Sequence, residues 1–295
     1  MEDVILEKRF GDLDEDWAGF KKAKAVIIQA PYGGTLTYLK GAHRGPQAII
    51  EASQNMELFD DELHAETYKA GIYTSPPLEF NPSDTPDQVI AQVKDKTLDV
   101  LRANKLPVVI GGEHSVTVGA VKATKETFSD LSVLHMDAHY DLKDEYKGSK
   151  YNHACVARRI QEICPLVGVG LRSLSKEEKD FLDTSPSNVN TISVYDILDT
   201  ADWKRKASRL LSDTIYITID LDVLDHSLVS SVGTPEPGGL GWYEFLDFLR
   251  LVIKDKKVVG FDIVELSPKE GFVASDFLAA KLVYRLLGYI FYSKK

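Results

Sequence analysis

Three observations predict an α/β chain of three layers, a mainly parallel sheet with helices on both faces. Apolar, β-branched runs of strand length alternate with stretches of helical length, the pattern of strands joined by helical crossovers. Turn chemistry falls between these segments and no linker divides them, so residues 1–295 read as a single domain. Acidic and imidazole side chains cluster just past the ends of three of the runs, the edge at which open α/β sheets bind ligands.

Taken in order, residues 25–29 (Ala-Val-Ile-Ile-Gln) are a β-branched run and read as the first strand. Residues 86–104 place Val89, Val93 and Leu101 near one face and read as a helix. The apolar run 107–110 ends at Gly111-Gly112 and reads as a strand, with a helix following at 115–127. Residues 131–136 (Leu-Ser-Val-Leu-His-Met) read as a buried strand, and a helix is expected over 153–163. Residues 166–171 and 189–193 read as strands on either side of a helix at 176–183. A helix at 203–211 leads to the strand 214–219, where β-branched residues dominate (Thr-Ile-Tyr-Ile-Thr-Ile). Helix 242–254, strand 258–263 and a last helix over 274–289 complete the alternation, the last with Leu278, Leu282, Val283, Leu286 and Leu287 at helical spacing.

Asp137, His139 and Asp141 follow strand 131–136 at alternate positions, so an extended chain puts them on one face, about 7 Å apart along the chain. Asp220 and Asp222 share a face just after 214–219, and His114 follows 107–110 through Gly-Gly-Glu. Each of these taken alone reads as well as a helix cap, a turn residue or a satisfied core histidine. Together they bring four carboxylates to one sheet edge, and unpaired ionised groups cost several kcal/mol each there unless cations or hydrogen bonds compensate them. Two divalent metal ions side by side are the economical compensation, so a two-metal hydrolase is expected.

Composition narrows the partners. The 295 residues are 44% apolar, ample for a core. Against 45 acidic residues stand 35 basic ones, a formal net charge of −10 that argues against nucleic acid or an anionic membrane and is consistent with a cationic substrate. Cys155 and Cys164 form no Cys-x-x-Cys pattern and fit two structural thiols in a reducing cytoplasm. Residues 1–10 carry no apolar core of a signal peptide, and no run approaches the roughly 18 apolar residues of a membrane span, so a soluble cytoplasmic protein is expected.

Five blocks carry a resemblance: Gly-Gly-Glu-His at 111–114, His-Met-Asp-Ala-His-Tyr-Asp at 135–141, Ile-Asp-Leu-Asp-Val-Leu-Asp at 219–225, Gly-Thr-Pro-Glu-Pro-Gly-Gly at 233–239 and Gly-Phe-Asp-Ile-Val-Glu-Leu-Ser-Pro at 260–268. In this order they are similar to the ureohydrolases, the arginase and agmatinase family of dimanganese enzymes that split guanidinium compounds into urea and an amine. The resemblance runs from Pro31 almost to the carboxyl terminus. It implies an arginase-like fold and two Mn²⁺ per subunit. One ion would be held by His114, Asp137, Asp141 and Asp220, the other by Asp137, His139, Asp220 and Asp222, with Asp137 and Asp220 bridging. Two imidazoles and four carboxylates suit Mn²⁺ better than the sulfur-rich sites zinc often takes.

Catalytic roles follow from the same resemblance. A hydroxide bridging the two ions would attack the guanidinium carbon, and Asp141 would accept its hydrogen bond and carry its proton toward the leaving amine. His153 matches the histidine that protonates that amine. Glu265 matches the glutamate that binds the planar guanidinium through two parallel hydrogen bonds. His135 reads as a neighbour of the ligands, and His43, His64 and His226 read as loop or surface residues. Thr234 and Glu236 fit the lining of the same cleft without an assigned role.

Agmatine, cut to putrescine and urea as in polyamine biosynthesis, is the expected substrate, a small cationic guanidino compound. Loop 142–152 carries Lys143 where arginine-specific members have Asn, and its style looks like agmatinases, with Asp144 or Glu145 available to a second cation. Guanidinobutyrate, arginine and formiminoglutamate are the alternative substrates. A metal-binding homologue without catalysis is the alternative from another class, and the deacetylases, which need a single-zinc set, fit the six-ligand pattern poorly. By analogy with the family a homo-oligomer, a trimer or hexamer, is expected. The chain departs from the family pattern at Gly33, where relatives commonly have Asp, at Ala154, where many have Gly, and at His226, where many have Pro.

Overall fold

Eight strands form one sheet in which all neighbours run parallel. The computed structural model describes residues 8–292. Residues 1–7, most of the segment read for a signal peptide, lie outside the described residues, as do residues 293–295. The strands are β1 (Ala25–Ala30), β2 (Ile72–Thr74), β3 (Leu106–Gly111), β4 (Ser132–Met136), β5 (Leu166–Leu171), β6 (Val189–Ser193), β7 (Thr214–Asp220) and β8 (Lys257–Val264), in the spatial order β2-β1-β3-β8-β7-β4-β5-β6. Each strand expected from the sequence is present, its ends within one residue of those expected. The addition is β2, whose three residues are too few for a periodic signal. A separate two-stranded antiparallel ribbon pairs Phe59–Asp60 with Ala65–Glu66.

The alternation of side chains sorts each strand between two cores. Ile27, Ile110, Leu134, Val167, Ile217 and Ile263 face one layer, built from α1 (Gly45–Ser53), α7 (Trp203–Leu210), α8 (Trp242–Asp255) and α9 (Ala274–Tyr292). Val26, Ile28, Val109, Val133 and Leu166 face the other, built from α2 (Pro86–Arg102), α3 (Thr117–Thr127) and α4 (Val156–Gln161). Both faces being covered, β1 and β5 are buried at every residue, which is why they read as continuous apolar runs. Two further helices, α5 (Lys176–Asp183) and α6 (Val194–Asp199), flank β6 in sequence, with α6 packed against β5 and β6, and a four-residue helical turn spans Glu15–Ala18. The expected helix 86–104 stops at Arg102 because Asn104 turns into the left-handed region (φ 55°), a common helix exit. No helix of the described residues is long and apolar enough to cross a membrane.

Carboxyl-terminal strand ends are stitched together before any site residue is reached. The Gly112 N–H donates to Ala30 O (2.8 Å) and its carbonyl accepts from the Glu265 N–H (2.8 Å), joining the ends of β1, β3 and β8. A β-carbon at 112 would stand 1.9 Å from Tyr32 O, so only glycine permits this approach.

Candidate metal centre

Four neighbouring strands at the middle of the sheet, β3-β8-β7-β4, supply the site from their carboxyl ends. β3 and β4 are consecutive in sequence yet stand apart with β8 and β7 between them, and that reversal of strand order is where α/β sheets open a crevice. His114 follows β3, Asp137 follows β4, Asp220 ends β7 with Asp222 just beyond, and Glu265 follows β8.

Asp137 is central. Its Oδ1 accepts the His139 N–H at 2.6 Å, and its Oδ2 lies 3.1 Å from His114 Nδ1 and 2.9 Å from His135 Nε2. His114 Nδ1 is also 3.3 Å from Asp141 Oδ2 and 3.6 Å from Asp220 Oδ2. His139 Nδ1 stands 2.9 Å from Asp222 Oδ2 and 3.6 Å from Asp137 Oδ1. Two sets of ligand atoms therefore fall within 4.8 Å of one another: His114, His135, Asp137 and Asp141 in one, Asp137, His139 and Asp222 in the other. Asp137 belongs to both. Asp220 belongs to neither, although its Oδ2 faces His114 and its Oδ1 accepts the Asp222 N–H at 2.9 Å. The expected ligands are thus gathered in one place, and His135, expected only beside them, stands within the first set.

Unmet valences test whether this cluster suits a metal. His114 Nδ1, Asp137 Oδ2 and both ring nitrogens of His135 are buried without a hydrogen bond. The 2.9 Å approach of His135 Nε2 to Asp137 Oδ2 has the length of a hydrogen bond but not its alignment. On its other side His114 has a defined partner. Thr218 Oγ1 donates its single hydrogen to Asp262 Oδ1 (2.6 Å), so at 2.8 Å from His114 Nε2 it accepts, and the imidazole carries its hydrogen on Nε2. Nδ1 is left as a lone pair aimed at three carboxylates, an arrangement that needs a positive charge between them. Nitrogen and oxygen donors without sulfur fit a divalent ion of the harder kind.

The charge balance agrees. Burial works against ionisation of Asp137, but His135, His114 and His139 outweigh it and hold the carboxyl well below the usual range. Burial also opposes charge on the imidazoles, yet Asp137 and Asp141 raise His114 well above its ordinary value, and Asp222 with Asp137 raises His139 to about 12. Burial and then Asp137 lift Asp141 to about 6; burial, Asp222 and Asp137 lift Asp220 well above the usual range. Glu265 is raised to about 8 by burial and by the neighbouring Glu113. Protons on imidazoles and carboxyls are what balance the cluster when protein groups alone must do so; a bound cation would take their place.

Two acids here adopt backbone conformations that L-residues avoid, Asp141 at φ 51° and Glu265 at φ 65°. Such positions cost about 1–3 kcal/mol each and persist where the surroundings enforce them. For Glu265 the enforcement is visible: its N–H is held by Gly112 O, and its Oε1 accepts the His114 N–H at 2.7 Å. A β-carbon at Gly233 would sit 3.4 Å from Glu265 Oε2.

His114, His139, Asp141, Asp220 and Glu265 line a cavity of about 190 Å³ that also takes in His153, Thr234 and Lys143. A second space of about 270 Å³ shares His139, Asp141, Lys143 and Ala154 with it and continues past Ser173, Ser175 and Glu178. His153 opens a short 3₁₀ turn capped by Asn152, whose side chain accepts from the Ala154 N–H (3.0 Å). Burial, then the positive charge of His139 and His114, pushes its imidazole down to about 4. Asp144 is half-exposed and already paired through Oδ1 with Arg159 Nη2 at 2.6 Å, and Glu145 is exposed. His43, His64 and His226 are exposed, and Cys155 and Cys164 are buried free thiols.

Sequence reasoning passed over three kinds of residue here. Asp262 is fully buried and takes the hydroxyls of Tyr216 (2.9 Å) and Thr218 behind His114. Its signal was a lone charge inside an apolar strand, opposite alternate polar positions 216, 218 and 220. Glu113 and Thr35 are joined at the edge of the cavity, with no sequence signal beyond adjacency to His114. Arg172, just past β5, donates to four carbonyls: Gly170 (3.1 Å), Asp222 (2.6 Å), Glu236 (3.1 Å) and Pro237 (3.0 Å). It thereby ties loop 233–239 to the segment that carries Asp222, while Ser173 Oγ donates to Glu236 Oε1 at 2.8 Å.

A sequence model of the Arginase family matches residues 23–288. The chain belongs to the arginase family. An N(1)-aminopropylagmatine ureohydrolase of Synechocystis is 38% identical over 277 residues, 92% of this chain and 90% of the relative, and an agmatinase of Pyrococcus horikoshii is 35% identical over 288 residues, 97% and 98% of the two chains. Among solved structures, the agmatine ureohydrolase of Thermoplasma volcanium aligns with a TM-score of 0.86 at 31% identity over 97% of this chain and 95% of the other. Proclavaminate amidino hydrolase from Streptomyces clavuligerus aligns with a TM-score of 0.87 at 27% identity over 99% of each chain. The arginase-like fold expected from sequence is borne out, and this arginase-family chain is a hydrolase of amidine C–N bonds from a metal-dependent family.

Proposed function

We propose that this chain, a single ureohydrolase domain, hydrolyses agmatine to putrescine and urea with two manganese ions held by His114, Asp137, His139, Asp141, Asp220 and Asp222. One observation carries the reading: His114, His139, Asp141, Asp220, Glu265 and His153 line a single cavity with Asp137 and Asp222 directly behind them, and His114 Nδ1 and Asp137 Oδ2 have valences unmet by protein. Divalent cations bound there would supply Lewis-acid activation of water at neutral pH. The chain's own groups do the rest. Glu265 binds the guanidinium of the substrate by charge-assisted hydrogen bonds and fixes its plane. Asp141, whose Oδ2 lies 3.3 Å from His114 Nδ1 at the cavity wall, takes the proton that the attacking water releases. His153, neutral at pH 7, relays a proton to the nitrogen of the departing amine, and the buried walls keep bulk water from competing.

A second reading has its own support. Relatives named N(1)-aminopropylagmatine ureohydrolase share 34–38% identity, and the space past Ser173 and Glu178 extends the cavity for a longer amine tail. Urea release by metal-free protein reconstituted with Mn²⁺ tests both. Agmatine and N(1)-aminopropylagmatine should be turned over in preference to guanidinobutyrate, arginine and formiminoglutamate. A preference for arginine, or no urea from any of them, ends the proposal.

A further inference from the structure

Segment 33–37, just past β1, places two hydroxyls against His153. Thr35 Oγ1 lies 3.2 Å from His153 Nδ1 and accepts the His153 backbone N–H at 3.0 Å; Thr37 Oγ1 lies 3.3 Å from Nε2. Behind Thr35 is Glu113, with no exposed surface. Its Oε2 accepts the Thr35 N–H (2.7 Å), and its Oε1 accepts the hydroxyls of Thr35 (2.6 Å) and Ser115 (2.6 Å). Gly34 allows the fold-back of this segment, since a β-carbon there would meet Tyr32 Oη at 2.4 Å.

With Glu113 the acceptor in all three of these hydrogen bonds, the proton count in this chain of contacts has one solution. A threonine hydroxyl has a single hydrogen, and the short contact to Glu113 takes it. Thr35 Oγ1 then has only lone pairs to offer His153, so Nδ1 must bring the hydrogen. The cavity-side nitrogen, Nε2, is left with its lone pair.

We propose that Thr35, anchored by Glu113, is a positioning residue that locks His153 in the Nδ1–H tautomer, so that Nε2 is the atom exchanging protons with substrate. This rests on the reading of His153 as the proton carrier given above. It follows the general pattern in which a buried partner on one ring nitrogen sets the task of the other.

Two measurements on the full chain test it. Nitrogen-15 NMR of the histidine rings, in protein loaded with diamagnetic Mg²⁺ and with the His153 signals assigned by their loss in His153→Asn, should show hydrogen on Nδ1. Thr35→Val should move it to Nε2 or mix the two, and Thr35→Ser should restore the original pattern. In Mn²⁺-loaded protein, Thr35→Val should lower kcat for urea release by about 10- to 100-fold with KM little changed, and Thr35→Ser should recover it. Hydrogen on Nε2 of His153 in the unaltered protein overturns the inference, as does a Thr35→Val variant with unchanged tautomer and kcat. Full activity in His153→Asn would instead remove the proton-carrier reading, an outcome the tautomer measurement tells apart.

Discussion

Replacing Thr218 by valine removes one hydroxyl and nearly preserves shape, and it should weaken metal binding without touching a ligand. Thr218 is fully buried on β7 opposite Asp262 of β8, and its oxygen is the acceptor for His114 Nε2 at 2.8 Å. Without it, the imidazole has two poor choices. Keeping hydrogen on Nε2 leaves a buried donor unpaired, at about 1–3 kcal/mol. Moving it to Nδ1 removes the lone pair that faces Asp137, Asp141 and Asp220. Partners of this kind typically govern metal affinity by about 10- to 100-fold, or about 1.4–2.7 kcal/mol. Thr117 Oγ1, 3.3 Å from Thr218 Oγ1, is close enough to replace part of the contact, which favours the lower end. Calorimetric titration of Mn²⁺ into chelator-treated protein measures the change, with Thr218→Ser as the control that keeps the hydroxyl. A Thr218→Val protein that binds Mn²⁺ as tightly as the unaltered chain would refute the tautomer argument and with it the assignment of Nδ1 to the metal.

Glu265→Gln should lower kcat/KM for agmatine by about 10- to 100-fold, the worth of a charge-assisted contact at about 1.5–3 kcal/mol, with metal content by elemental analysis unaltered; an unchanged kcat/KM would count against Glu265 as the guanidinium anchor. His153 has a folded value near 4 against an ordinary 6.5, so the unfolded chain binds the extra proton between those values. Its contribution to stability is therefore complete above about pH 6.5 and is lost as pH falls through about 4; urea melts of the unaltered chain and His153→Asn should converge across that window, and parallel curves would contradict the depressed value. Gly112→Ala should destabilise the fold by about 3 kcal/mol or more, because backbone rather than a flexible side chain meets the new atom, and a thermal midpoint shift of under a degree would disprove that crowding.

The parts of the molecule that could be read from sequence are those written with a period. Residues 214–219 alternate β-branched and polar side chains and run straight into Asp220, so the strand, its exit and the place of Asp220 beside His114 were legible together. His114 was legible because the Gly111-Gly112 pair marks the end of β3. Short elements were not: β2 has three residues, and α6 takes six residues directly after β6 without an intervening turn. Contacts between distant segments were also out of reach. Asp144 was expected to be available to substrate, yet Arg159 on α4 takes it; nothing at 144 announces that partner. Thr35 reaches His153 across 118 positions of sequence, a pairing of the segments that follow β1 and β4 rather than of any local pattern.

Arg172 has a consequence for the conditions under which the cleft keeps its shape. Its guanidinium grips neutral carbonyls, whereas Arg159 and Arg285 elsewhere in the chain grip carboxylates. Acid that protonates aspartates releases grips of the second kind, and added electrolyte loosens those at the surface, but neither alters the hydrogen-bonding capacity of an amide oxygen. The Arg172 anchorage of loop 233–239 should accordingly hold from mildly acidic to alkaline solution and from dilute to concentrated salt, leaving the contacts made by carboxylates as the acid-sensitive component of the cleft.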